Sequence, residues 1–527
     1  MKRNIVNLVH FIRGCEPRMT VDLIRPVREQ IALGEEFGLA TTFLAQYDAL
    51  ENEEICALLR RAATDGGESV ELGVWLEVME PLVKAAGLEW RGRYPWDWHA
   101  HCGFTVGYTP RERERIADEL MRFFKEKFGY YPRVVGSWIL DAHTLEYLAQ
   151  HYAIDASCNC KDQWGTDGYT LWGGYYTGAY YPARRNAFSP AQSAGEQIGV
   201  PVFRMLGSDP VDQYDLGLDL ESGGAASQSV VTLEPVYTGG EGGGGSPDWV
   251  DWFLRENFNG KCLTYAYAQA GQENSFGWAA MQNGLRDQYA KLRALQQKGA
   301  LTVEPLGASG RWFRGQFACT PPTALAVTAN WKDADKASPR HSYWYSCKNY
   351  RMNLYQEGDR LWIRDWYRFD EAYEERYLDS VERRDVLAFD TLPIVDGNRF
   401  SGGGVRAGLY LYYDAAPLTV ASVAYAEEDR SVLLTCTGTP CGTLVLHLHE
   451  AGITLATPNR PAGALELRFL ENPRCAALPE RSINGQELTL RHRGFPYRLL
   501  LHGGVFAQEE DGLRVRMTAA EMGILMA

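Results

Sequence analysis

Apolar runs and amphipathic helical patterns alternate along the first three hundred or so residues of the chain. Each apolar run is rich in β-branched or aromatic residues and ends at polar residues, which indicates a buried strand. The predicted strands are residues 4–12, 41–46, 70–78, 134–140, 154–160, 200–206 and 261–268. Strands that alternate with helices in this way predict parallel pairing with right-handed crossovers. The fold is then either an open doubly wound sheet or a barrel.

The pattern changes near residue 311, after which helical spacing largely disappears. Short apolar runs then alternate with turn residues, which is typical of β-sandwiches, and residues 370–384 are predicted as a helix among them. A chain of 527 residues is too long for one core. We therefore divide it into an α/β region, residues 1–310, and a β-rich region, residues 311–527, with one or two sandwich subdomains.

Charge and composition narrow the partners and the location of the protein. A net charge of −14 disfavours nucleic acid and anionic membrane surfaces as partners. The N-terminus lacks the apolar segment of a signal peptide, and no apolar run approaches the ~18 residues of a membrane span. The eleven cysteines are scattered, so we predict reduced thiols and a cytoplasmic protein. The sequence leaves the oligomeric state open.

Polar residues collect where the predicted strands end, which is where α/β barrels place their chemistry. They are His10, Glu16, Asp48, Glu77, His99, His101, Asp141, Asp162, Asp167, Asp209 and Glu273. Carboxylates that lie close together raise each other's pKa, and two carboxylates in different environments can cleave a glycosidic bond. The alternative for each residue is a helix cap or an ion pair, and Asp141 directly precedes a predicted helix.

Aromatic residues are abundant, with 15 Trp and 29 Tyr, which suits sugar binding and equally suits a large β-rich core. A long loop, about residues 79–109, is rich in tryptophan and histidine, and loops of this length are usually functional or disordered. The tryptophans expected near the strand ends are Trp75, Trp96, Trp98, Trp138, Trp164 and Trp172. We predict that Trp75, Trp98, Trp138 and Trp164 bind substrate. The polar strand-end residues other than Asp141, Asp167 and Glu273 are predicted to bind substrate as well.

This layout resembles the glycoside hydrolase/deacetylase superfamily, which includes family 57 and family 38 glycosidases and the polysaccharide deacetylases. The segment from Gly136 to Asp141 is similar to the Gly-Trp-x-x-Asp motif around the family 38 α-mannosidase nucleophile, although Ser137 intervenes. In family 57 the nucleophile follows strand four and the general acid follows strand seven. The resemblance therefore implies a (β/α)7 barrel with Asp141 as nucleophile and Glu273 as acid/base. The family 57 acid is usually Asp, so Glu273 departs from that pattern.

The resemblance also implies alternatives. The deacetylases hold a metal with two adjacent Asp after strand one and His-x-x-x-His after strand three. Here strand one is followed by no Asp pair, while His99 and His101 alternate and would point to one side of an extended segment, where they and Asp141 would hold zinc. The primary prediction is a retaining glycoside hydrolase without a cofactor, acting on a carbohydrate substrate. The alternatives are a metal-dependent carbohydrate deacetylase and a non-catalytic carbohydrate-binding protein.

Overall fold

Seven parallel strands form one curled sheet in the N-terminal part of the computed structural model. The structure describes residues 2–166, 169–221, 224–225, 231–333, 338–458, 465–510 and 512–527; Asp167 lies outside them. The parallel strands are β1 (Arg3–Ile12), β2 (Thr41–Ala45), β3 (Val70–Trp75), β4 (Val134–Gly136), β5 (Ala156–Asn159), β6 (Val202–Arg204) and β7 (Tyr265–Ala270). Their order in the sheet is β7-β1-β2-β3-β4-β5-β6.

The two edges of this sheet approach each other. The amide of Gly207, just after β6, donates to the carbonyl of Gln269 in β7 at 3.3 Å. The rings of Phe203 and Tyr267 lie 5.0 Å apart across the same gap. The sheet is thus a barrel, as predicted. A short strand, Thr302–Val303, also pairs with β1, and Ala179–Tyr180 runs antiparallel to β6.

Helices cover the outside of the barrel. They are α1 (Ile24–Phe37), α2 (Tyr47–Glu51), α3 (Glu53–Gly66), α4 (Glu80–Ala85), α5 (Ala100–Gly103), α6 (Pro110–Phe128), α7 (Ala142–His151), α8 (Pro247–Asn257), α9 (Trp278–Gln297) and α10 (Leu306–Gln316). The sequence sets the ends of α6: Thr109 and Glu112 form a capping box, Pro110 takes the first position, and Gly129 ends the helix with φ 85°. Among the helices of the described residues, none has the length and apolarity needed to span a bilayer.

Two antiparallel sheets make up most of the C-terminal region. One contains Thr323–Val327, Arg340–Ser346, Tyr350–Glu357, Arg360–Arg368, Leu392–Asp396, Gly408–Tyr413, Ala416–Pro417, Leu465–Leu470, Gly504–Glu509 and Gly512–Met517. The other contains Ser422–Glu428, Ser431–Thr439, Gly442–His449, Gly452–Ala456, Glu480–Asn484, Glu487–His492, Phe495–His502 and Glu521–Met526. Residues of both sheets, among them Leu354, Ile363, Leu446 and Leu488, share one buried core, which confirms the predicted sandwich.

A smaller sheet joins the two regions. Leu387–Asp390 pairs in parallel with Tyr169–Trp172, which pairs in turn with Gln163–Thr166. The other short pairs are Pro182–Ala183 with Asn186–Pro190, and Leu218–Asp219 with Gly224–Ala225. The division proposed at residue 310 falls within α10, so the first antiparallel strand of the sandwich begins only at residue 323.

Residues 370–384 are not the helix that the sequence pattern predicts, but a series of turns. The carboxylate of Glu375 accepts hydrogen bonds from the amides of Ala142 and Ala187, both at 2.9 Å. Glu371 similarly accepts from the amide of Gln192 at 2.8 Å. These contacts bind the segment to barrel loops, and tertiary contacts of this kind routinely override helix propensity.

Asp141 forms a fully buried ion pair beside this segment. Its Oδ1 lies 2.9 Å from Nη1 of Arg113 in α6, and the same Nη1 donates to the carbonyl of Tyr377 at 2.7 Å. Asp141 also caps α7 by accepting from the amide of Thr144 at 2.9 Å, while Thr105 donates to its Oδ2 at 2.6 Å. Burial alone would raise the pKa of Asp141, but Arg113 and these donors hold it below its usual value.

We expect Asp141→Ala to lower the free energy of unfolding by about 3–5 kcal/mol, because it leaves the buried Arg113 without its carboxylate. Thr109→Ala at the exposed cap of α6 is the matched control, with an expected loss of about 1 kcal/mol. Chemical denaturation of both variants measures the difference. Equal losses in the two variants would contradict a structural role for the Asp141 ion pair.

Candidate active site

A cavity of about 400 Å³ lies at the carboxyl ends of the barrel strands. Its lining includes Arg13 after β1, Glu77 after β3, Trp138 after β4, Leu206 after β6 and Glu273 after β7. This volume is within the range of ~300–1,000 Å³ that ligand sites usually have. Strand ends converge here because the parallel strands share one direction, so the barrel itself brings distant segments together.

The centre of this cavity is a buried arginine surrounded by three carboxylates. Nη1 of Arg13 lies 3.3 Å from Glu16, while its Nη2 lies 3.2 Å from Glu77 and 3.0 Å from Glu273. All four side chains are at least nine-tenths buried. Because Glu77 and Glu273 contact the same nitrogen, their nearest carboxylate oxygens lie within about 6 Å of each other. Glu16 is on the far side of Arg13 and does not line the cavity.

Glu77 is held by donors from the barrel core. Its Oε2 accepts from the indole Nε1 of Trp75 at 2.8 Å and from the amide of Gln46 at 3.0 Å. Trp75 is fully buried and stacks on Phe11 with ring centroids 4.3 Å apart. Trp75 therefore positions Glu77 and packs the core, so its predicted contact with substrate is wrong.

Glu273 is held by the loop that follows β7. Its Oε1 accepts from the hydroxyl of Ser275 at 2.7 Å. The neighbouring Asn274 is fully buried and accepts from the amide of Arg13 at 2.8 Å while donating to the Arg13 carbonyl at 2.9 Å. This reciprocal pair fixes the loop after β7 to the loop after β1, and so fixes Glu273 relative to Arg13.

Burial raises the pKa of both carboxylates that contact Nη2 of Arg13. Burial raises the pKa of Glu77; Arg13 opposes this, and the charge of Glu273 adds to the increase. Burial likewise raises the pKa of Glu273, again against the influence of Arg13. One buried cation thus lies between carboxylates that would otherwise repel each other, while burial raises their proton affinities.

A third carboxylate in the cavity, Glu234, has no counterpart among the sequence predictions. Its Oε1 accepts from Gln272 at 3.2 Å and its Oε2 from Thr232 at 3.1 Å. It lies in the loop between β6 and α8 rather than directly at a strand end. Strand-end reasoning therefore misses it, as it misses the central role of Arg13.

Tryptophans from the long loop form one wall of the cavity. The guanidinium of Arg13 lies 4.3 Å from the ring centroid of Trp96, and Arg18 lies 5.0 Å from that of Trp98. Trp138 forms another side and meets Trp75 edge-on at 5.2 Å. The predicted positions of Trp96, Trp98 and Trp138 at the mouth of the barrel thus agree with the lining of this cavity.

The structure does not pair Asp141 with Glu273 across the cavity. Asp141 is fully buried, is absent from the cavity lining and is committed to Arg113 and the cap of α7. The alternative given by the sequence, a helix cap, is therefore the correct one. Glu77, predicted only to bind substrate, is the carboxylate that stands close to Glu273.

Two other polar residues near the strand ends lie away from the cavity. His10 is fully buried, with Nε2 2.8 Å from the hydroxyl of Tyr289 and Nδ1 3.2 Å from the carbonyl of Gln272. Burial lowers the pKa of His10 to about 4, so the ring is neutral. Asp48 lies in α2 and is not part of the lining. Neither residue is placed to bind substrate in this cavity.

Three further predicted residues lie in the part of the chain that faces the sandwich. Asp162 forms ion pairs with Arg204, at 3.0 Å, and with Arg351. Asp209 is buried and caps a turn by accepting from two backbone amides; burial and the charge of Asp212 raise its pKa to about 7. Trp164 lines a second cavity. None of them lines the first cavity, so their predicted contact with substrate remains a prediction.

The two histidines of the long loop do not form a metal site with Asp141. His99 lies 2.9 Å from Asp97, His101 lies 3.3 Å from Asp385, and their rings stack 5.9 Å apart. Among the described residues, no group of three or more histidine, cysteine, aspartate and glutamate side chains is arranged to hold a metal ion. The donors present therefore do not fit the zinc site of the alternative prediction.

Comparison with known proteins shows the fold. No family model and no curated protein sequence matches the chain. A structure from Parabacteroides distasonis, provisionally described as a glycoside hydrolase/deacetylase, is 15% identical with a TM-score of 0.53, covering 74% of this chain and 90% of that one. A provisionally described polysaccharide deacetylase from Mycobacterium smegmatis is 14% identical, with a TM-score of 0.35 and coverage of 60% and 91%.

A family 57 branching enzyme from Thermococcus kodakaraensis is 13% identical, with a TM-score of 0.30 and coverage of 60% of this chain and 72% of that one. At these identities the likeness concerns the fold, and the structure from Parabacteroides distasonis matches well beyond the barrel. The likeness to the structure from Parabacteroides distasonis shows the fold alone, a (β/α)7 barrel followed by β-sandwich sheets.

Proposed function

We propose that the protein is a glycoside hydrolase in which Glu77 and Glu273 cleave a glycosidic bond. The observation that carries this proposal is the pair of buried carboxylates on one nitrogen of Arg13, open to a cavity with tryptophan walls. Glycosidic cleavage requires two carboxyl groups on either side of the scissile bond. Their nearest oxygens lie within about 6 Å of each other, which fits the ~5–5.5 Å spacing of retaining enzymes.

The surroundings of the two carboxylates suggest different roles. Glu77 accepts from Trp75, Gln46 and Arg13, and these donors favour its anionic form. As an anion it would attack the anomeric carbon. Glu273 accepts from Ser275 and shares Arg13, so it is the better candidate to carry the single proton of the pair. It would donate that proton to the leaving oxygen and recover one from the attacking water.

The aromatic wall supports a sugar as the substrate. Trp96, Trp98, Trp138 and Tyr169 present flat apolar surfaces to the cavity, and such surfaces pack against the C–H faces of pyranose rings. Arg18, beside Trp98 at the mouth, adds donors for hydroxyl groups. Deacetylation has less support, because the described residues include no group of side chains arranged to hold the metal that this reaction uses.

Exchange of each carboxyl group for an amide tests the roles. We expect Glu273→Gln to lower kcat/KM on alkyl glycosides by at least about 10²-fold. The same variant should keep more of its activity on aryl glycosides with acidic leaving groups, because such groups depart without being protonated. Glu77→Gln should lose activity on both kinds of substrate. A panel of alkyl and nitrophenyl glycosides provides the measurement.

Glu16→Gln is the matched control, because Glu16 also pairs with Arg13 but does not line the cavity. We expect it to retain most of the activity. Full turnover by Glu77→Gln or Glu273→Gln, or an equal loss in Glu16→Gln, would refute the assignment of the two catalytic carboxylates.

The pH dependence of stability gives a second test. The pKa of Glu273 is higher in the folded than in the unfolded state, so the folded state keeps a proton that the unfolded state releases. This contribution to stability is present at low pH and is lost as the pH rises through the folded pKa. Glutamine cannot ionise, so Glu273→Gln should gain in Tm relative to the wild type between pH 5 and pH 8. A constant difference in Tm over that range would show that the Glu273 pKa is not raised.

A further inference from the structure

A second cavity, of about 300 Å³, lies between the small joining sheet and the turns that follow residue 375. Trp164, Phe389, Arg376 and Arg399 are part of its lining. Tyr169 lines both this cavity and the first one. The two cavities are therefore neighbours that share the side chain of one tyrosine.

Positive charge is concentrated in this second cavity. Its lining carboxylate, Asp390, is approached by Arg376 at 3.3 Å, Arg493 at 3.8 Å, Arg399 at 4.0 Å and the ring of His492 at 3.5 Å. Burial would raise the pKa of Asp390, but His492 and these arginines hold it well below its usual range. Three guanidinium groups thus share one carboxylate, and two of these three ion pairs are 3.8 Å or longer.

Arg399 is the least satisfied of these cations. Its Nε and Nη1 are buried without a hydrogen-bond partner among the described residues. The other nearby carboxylate, Asp396, lies 3.8 Å from Nε and already accepts from Trp172 at 3.0 Å and from Tyr367. The guanidinium lies 5.3 Å from the ring centroid of Trp164. Buried donors this far from their carboxylates are costly, and an acceptor supplied by a ligand would lower that cost.

We propose that this second cavity binds the anionic group, a carboxylate or a sulfate, of an acidic saccharide whose other end occupies the first cavity. Guanidinium groups form paired, charge-assisted hydrogen bonds with such anions, and the exposed part of Trp164 would pack against the sugar ring. The inference rests on the proposed function in one respect, that the ligand is a saccharide.

The overall charge of the chain strengthens this argument. A net charge of −14 repels an acidic ligand over most of the surface. An acidic saccharide would therefore bind only where arginines outnumber carboxylates, and the second cavity is such a place. A neutral saccharide would gain nothing from this arrangement, and the unpaired donors of Arg399 would stay without an acceptor.

Equilibrium binding of matched ligands tests the proposal without requiring turnover. Trigalacturonate is compared with its methyl ester, and a sulfated galactose trisaccharide with its desulfated form, by calorimetry on the Glu273→Gln variant at low and high salt. We expect at least one acid to bind about 10-fold or more tightly than its neutral partner, with the difference reduced by salt. The acid that binds more tightly than its neutral partner shows whether the cavity prefers a carboxylate or a sulfate.

Substitutions then locate the site. Arg399→Gln should abolish the preference for the acid, whereas Arg122→Gln, the same change of charge on the exposed face of α6, should preserve it. If Arg399→Gln does not fold, Trp164→Ala is measured in its place. We expect this variant to bind both the acid and its neutral partner more weakly. Equal affinity for acid and neutral partner in the Glu273→Gln variant, or equal effects of adding Arg399→Gln and Arg122→Gln to it, would overturn the proposal.

The outcome also separates this proposal from the proposed function. Hydrolysis of neutral glycosides without any preference for acids would refute the acidic subsite and leave Glu77 and Glu273 in their roles. Binding of acids that depends on Arg399, together with failure to hydrolyse any glycoside, would support the subsite and refute the hydrolase.

Discussion

The arrangement around Arg13 is the constraint on which the site depends. Burying one carboxylate is costly, and burying three together is more so unless a cation lies among them. Arg13 meets that requirement from the loop after β1, and Asn274 ties this loop to the one that carries Glu273. Glu77 joins from β3, supported by Trp75 in the core. One guanidinium therefore links the ends of three strands. It balances the charges of the carboxylates and also fixes their positions at the mouth of the barrel.

A second buried ion pair anchors the C-terminal region to the barrel. The Arg113–Asp141 ion pair joins α6 to α7, and Arg113 also donates to the carbonyl of Tyr377. Glu375 accepts hydrogen bonds from two amides of the barrel loops. Burial and the charge of Asp141 raise the pKa of Glu375 to about 8, so Glu375 is largely protonated at neutral pH and adds little charge to the cluster. The irregular segment 370–384 is held by these bonds rather than by a helix of its own.

The sequence predicted the strands and much of the cavity lining. The spacing of apolar residues and the end of each apolar run can both be read from neighbouring residues in the chain. Glu77, Glu273, Trp98 and Trp138 were identified this way. Asp141 was misassigned because a capping carboxylate and a catalytic one look alike in the chain; what separates them is Arg113, 28 residues away and visible only in three dimensions. Glu234 and Arg13 were missed for a similar reason, since a loop residue gains its role only from neighbours brought together by folding.

The joining sheet has a consequence for how such proteins diversify. Tyr169, at the boundary between the two cavities, belongs to a strand that pairs with Leu387–Asp390 from the C-terminal half. Mutations in that half can therefore reshape the rim of the pocket while Glu77 and Glu273, held by the barrel, stay in place. The support of the rim and the carboxylates around Arg13 are encoded in separate stretches of the gene, so selection can alter one without altering the other.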